Sequence, residues 1–82
     1  MSAHVIPFPR TRDRGFVWRI ARRMAEMTPR TAEKHLAYSL RVQVETMTRR
    51  GIAPELIEQQ RTALEAAVRC ELTHLDMTSG AA

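Results

Sequence analysis

Five arginines, Arg12, Arg14, Arg19, Arg22 and Arg23, fall within twelve residues of this chain, interleaved with Phe16 and Trp18. A guanidinium is a planar fork of N–H donors that matches phosphate or carboxylate and stays charged at any physiological pH. An aromatic ring among such groups offers a stacking face to an unpaired base. The combination points to an anionic partner, DNA or RNA, bound through phosphates with salt-sensitive affinity. Arg10 and Arg30 extend the stretch. Residues 1–30 hold seven arginines against two acids, whereas residues 31–82 hold six basic residues against seven acids. Lys34 is the sole lysine. An arginine-biased codon usage would replace lysine everywhere, so the clustering carries the signal and not the count. The competing account of such a run is a solvated charged face.

Other chemistries have thinner support. Glu33 and Glu71 fall within apolar helical stripes at similar height, and facing carboxylates can raise a pKa enough to make a general acid. An arginine such as Arg23 or Arg30 between them would give a structural ion-pair cluster instead. No glycine loop or nucleophile–base pair accompanies them, so the expectation is a protein that is not an enzyme. Cys70 and His74, four apart on one helix, could share an ion, with Glu33 and His35 opposite. A buried cysteine near an exposed histidine explains the same spacing, so no metal and no cofactor are expected.

The elements that must position these groups are helices. Asp13 is a good N-cap for α1, expected to run to about Met27 with Phe16, Val17, Ile20, Met24 and Met27 on one face. That face beside arginines would also suit an anionic membrane surface. A thin two-helix hairpin needs it as a lid, however, and burial is the expectation. Thr28-Pro29 starts α2 by the usual capping chemistry, and α2 should reach about Arg50. Its stripe is Ala32, Leu36, Ala37, Leu40, Val44 and Met47, with Tyr38 and Val42 on a second, smaller face. Gly51 should close α2 in the left-handed conformation, with Ile52 turned back towards Met47. Pro54 opens α3, which should run to about Leu75 on a stripe of Leu56, Ile57, Ala63, Leu64, Ala67, Val68, Cys70 and Leu75. The short turn makes α2 and α3 an antiparallel hairpin.

The expected architecture is therefore all-α, a basic N-terminal helix plus a long helical hairpin, with dimerisation into a bundle as a further step. Residues 1–12 read as an extended basic arm, 13–76 as one three-helix domain and 77–82 as a disordered tail. A single cysteine, the absence of a secretory pattern and no apolar run near roughly 20 residues lead to the expectation of a cytoplasmic protein without a membrane span.

Ile6-Pro7-Phe8-Pro9-Arg10, Ala32-Glu33-Lys34-His35-Leu36, Arg49-Arg50-Gly51-Ile52 and Leu64-Glu65-Ala66-Ala67-Val68-Arg69 together resemble a family of small bacterial proteins of unknown function. The resemblance runs from about Val5 to Leu75. It implies a self-contained unit, an arm that is more than a casual tail, and no catalytic residue to carry over.

Two functions remain open. In the first, Arg19, Arg22 and Arg23, supported by Arg12 and Arg14, contact nucleic acid in a small accessory or regulatory protein. In the second, Phe8, Trp18, Tyr38 and Val42 meet a protein partner or a second copy, and nucleic acid has no role.

Overall fold

In the computed structural model the described residues are 13–80, with side chains described as far as Asp76. The arm residues Phe8, Arg10 and Arg12 lie outside them. Three helices follow in order: α1 (Arg14–Ala25), α2 (Pro29–Arg49) and α3 (Pro54–Gly80). The protein is all-α, and among the described residues there is no strand.

Each boundary has a local cause. The Asp13 carboxylate accepts the Phe16 N–H at 3.0 Å and starts α1. The Thr28 hydroxyl accepts the Thr31 N–H at 3.3 Å, and Pro29 occupies the first turn of α2 without losing a needed bond. Gly51 takes φ +77°. There the Ile52 N–H reaches back to the Met47 carbonyl at 3.1 Å and the Gly51 N–H to the Thr48 carbonyl at 3.0 Å. This paired closure satisfies two carbonyls that α2 would otherwise leave bare, and it reverses the chain in a few residues.

The core is one cluster fed by all three helices: Val17, Ile20, Ala21 and Met24 from α1, Ala32, Leu36 and Leu40 from α2, Leu64 and Val68 from α3. Phe16, Met27, Ala67, Leu72 and Leu75 pack against it, half-buried. The helix α1 packs on both arms of the hairpin. Its apolar face is spent on the core, which removes the face a membrane-surface helix would need.

Three features depart from the sequence expectations. Cys70, placed in the α3 stripe, is exposed. At 3.6 residues per turn it lies about 200° round the helix from Val68, on the opposite side. Ala37 and Ala63 are exposed as well, and Ala21, which follows Val17 by four, is fully buried instead. Finally, α3 runs five residues beyond Leu75 to Gly80. Apolar periodicity stops at Leu75, but no glycine or proline interrupts the helix before Gly80, so the backbone bonds continue.

Candidate nucleic-acid interface

Between α1 and α2 lies an open groove of about 570 Å³. Trp18, Arg19, Arg22 and Arg23 line its α1 side, and Tyr38 and Val42 its α2 side. Arg19, Arg22 and Arg23 thus share one surface with Trp18, Tyr38 and Val42, residues that the sequence assigned to a rival function. They meet because α1 buries the Val17–Ile20–Ala21–Met24 face, which turns its neighbouring arginines towards the second face of α2. Arg14 is exposed in the first turn of α1 and is not among the residues lining the groove.

The aromatic residues are the exposed ones. Trp18 is 42% and Tyr38 56% exposed, high values for rings of that size. Each carries a guanidinium over its ring: Arg22 lies 5.1 Å from the Trp18 centroid and Arg41 5.4 Å from that of Tyr38. At exposed sites such contacts contribute about 0.5–1 kcal/mol, weak enough to exchange for a better partner. Phe16 also lines the groove but packs on the core, so Trp18 is the stacking candidate on α1.

His35, Ser39 and Gln43 complete the α2 side; the sequence marked His35 only as a possible metal neighbour and did not single out the other two. Their signal was present, since 35, 38/39 and 42/43 recur at helical spacing on the face that Tyr38 and Val42 mark. The Ser39 hydroxyl is already committed, donating to the His35 carbonyl at 2.9 Å. Glu26 is the acid that lines the groove.

Electrostatic commitment separates α1 from α3. The Arg69 guanidinium donates to both carboxylate oxygens of Glu33, at 2.9 and 2.8 Å, and to Glu65 at 3.2 Å. Arg61 bridges Glu58, at 2.6 Å, and Glu65, at 3.3 Å. The Glu33–Arg69 pair fastens α3 to α2, and the other pairs lie within α3; Glu33, Arg61, Glu65 and Arg69 border a second groove of about 450 Å³. By contrast, among the described residues Arg14, Arg19, Arg22 and Arg23 form no ion pair.

That cluster corrects the acid–base candidate. Hydrogen bonding by Arg69 holds the Glu33 carboxyl below its ordinary range, which is the opposite of what a general acid needs. The arginine that engages it is Arg69, not Arg23 or Arg30, and Glu71 takes no part in these pairs. Glu58 is likewise held low by hydrogen bonds from Arg61, and Arg61 and Arg69 are correspondingly raised. Among the described residues no group of three or more His, Cys, Asp or Glu side chains is placed to hold a metal ion. Nor is any described helix long and apolar enough to cross a membrane.

Fold and surface together define a small three-helix protein with a basic, aromatic-lined groove. The chain belongs, over residues 1–82, to a family of unknown function, DUF6074. No curated protein and no solved structure matches it.

Proposed function

We propose that this is a small, non-enzymatic accessory or regulatory protein that binds nucleic acid through α1. Arg19, Arg22 and Arg23 contact phosphates at the groove, with Arg14 and Arg12 alongside. One contrast carries the reading. The arginines of α3 are neutralised by carboxylates, while among the described residues those of α1 form no ion pair and three of them line a groove with an exposed tryptophan. A guanidinium that forms no internal ion pair keeps its full field for a polyanion.

The test is fluorescence anisotropy with labelled duplex DNA and single-stranded RNA across a salt series. Four phosphate contacts give a log–log slope of about −3.6 for duplex and about −2.8 for a single strand. Arg19→Ala/Arg23→Ala should abolish most of the binding. Arg49→Ala/Arg50→Ala, which removes the same charge at the hairpin turn, should cost little. Equal losses from the two double variants would reduce the effect to net charge.

A second reading, a helical protein–protein interaction module or homo-oligomer, draws on the same exposure of Trp18 and Tyr38. It predicts that loss of Arg19 and Arg23 matters little and that Tyr38→Ala or Val42→Ala abolishes the interaction.

A further inference from the structure

Resting on that nucleic-acid reading, the geometry points to a narrower ligand: we infer that the groove takes single-stranded nucleic acid and stacks an unpaired base against Trp18 and Tyr38. The two rings stand on different helices and line one groove, so a strand lying in it can reach both. Trp18 already bears a planar cationic group that lines the same groove, Arg22 at 5.1 Å, whereas Arg41, 5.4 Å from the Tyr38 centroid, belongs to the second groove. A contact of that strength can be exchanged, so the Trp18 face can take a flat group of base size once Arg22 moves aside.

Release of Arg22 from Trp18 would also free a cation beside Arg19 and Arg23. Arg19 and Arg23 are one helical turn apart, about 6 Å along the axis, a spacing suited to successive phosphates of an extended strand. Stacking and phosphate pairing are thereby coupled through one residue. His35 and Gln43 on the α2 side supply polar groups for a base edge without dictating which base.

Shape argues against a duplex. Direct readout of base edges in the major groove of a duplex takes a protruding helix or ribbon. Here the basic face of α1 is set into a concavity shared with α2, where the bases of an intact duplex would be shielded by their own backbones. Stacking is tolerant of sequence, because every base has a π-face. DNA and RNA offer the same stacked base and phosphodiester, so the class is a single strand of either sugar.

Trp18 is the one tryptophan of the chain, and its emission therefore reports on this groove alone. The full chain is titrated with oligo-dU, oligo-U, a duplex of equal length, and heparin, a polyanion without bases. Anisotropy gives affinity and Trp18 fluorescence gives stacking. Both single strands, or either one, should quench Trp18 and bind more tightly than the duplex; whichever binds better identifies the sugar. Heparin should leave the emission largely unchanged. Trp18→Ala should weaken single-strand binding about tenfold or more, Trp18→Phe should retain most of it, and Tyr38→Ala should give an independent loss. Both rings are exposed, and unchanged helical circular dichroism would separate these losses from unfolding.

Single strands that bind with unaltered Trp18 emission, and equally well to Trp18→Ala, would overturn base stacking while leaving a nucleic-acid-binding α1 intact. So would duplex binding as tight as single-strand binding. No binding of either nucleic acid at low salt would overturn both readings.

Discussion

Replacing Gly51 by alanine isolates the energetic weight of one backbone conformation. Gly51 holds φ +77°, and an added Cβ would meet nothing within 4 Å. Packing therefore contributes nothing, and the penalty is the intrinsic one of a side chain in the left-handed region, roughly 1–2 kcal/mol. Stiffening of the unfolded chain offsets about 0.4–1 kcal/mol of that. The net loss is then about 1 kcal/mol, a fall in Tm of about 4–8 °C for a domain of this size. Gly51→Asn should lose less, because asparagine tolerates this region. Gly15→Ala should act with the opposite sign. Gly15 is helical, and its added Cβ would lie 3.4 Å from the flexible end of Arg19 and 3.5 Å from Asp13, the first at the near edge of ordinary van der Waals contact and the second within it. The gain in helix propensity is at most about 1 kcal/mol. Urea unfolding followed by far-ultraviolet circular dichroism reads both, with the slope m unchanged. A Gly51→Ala protein as stable as the parent would refute the turn geometry.

Leu36 is 1% exposed at the centre of the cluster, so Leu36→Ala should cost about 2–5 kcal/mol in the same urea assay. Cys70 is exposed, so it should react with a thiol reagent in the folded protein at the rate of a small thiol, and Cys70→Ser should shift stability by no more than about 0.5 kcal/mol. Folding lowers the Glu33 and Glu58 pKa values, so their contribution is present above the ordinary glutamate range and lost as pH falls through the depressed values. Melting temperature should accordingly drop on acidification, and Glu33→Gln should flatten that part of the profile; an unchanged profile would sever Glu33 from the acid response.

Local chemistry was the most legible level of this fold. Asp13, Thr28-Pro29 and Gly51-Ile52 each have a side chain or backbone preference that acts within a few residues, and each closes the helix end it marks. The face of α1 was legible as well, apart from Ala21, because alanine adds little to an apolar pattern although it fits best where two helices come close. Cys70 was misplaced by residue type: cysteine usually buries, but its angular position on α3 is that of a solvent-facing residue. The ion-pair clasp could not be read, since Glu33 and Arg69 are 36 residues apart and meet only once hairpin register is fixed. The groove has the same origin. The arginines of α1 and the Tyr38–Val42 face of α2 were each visible, but their convergence depends on how α1 is rotated against α2, and no local rule sets that rotation.

The most direct test of the binding account is a 1H–15N titration of the whole chain with a short single-stranded oligonucleotide. The account predicts shifts concentrated on Trp18, Arg19, Arg22, Arg23, Tyr38 and Val42, including the Trp18 indole N–H, with the Glu58–Arg69 stretch of α3 unmoved. Shifts confined to α3 or the hairpin turn, or spread evenly over every basic residue, would contradict it.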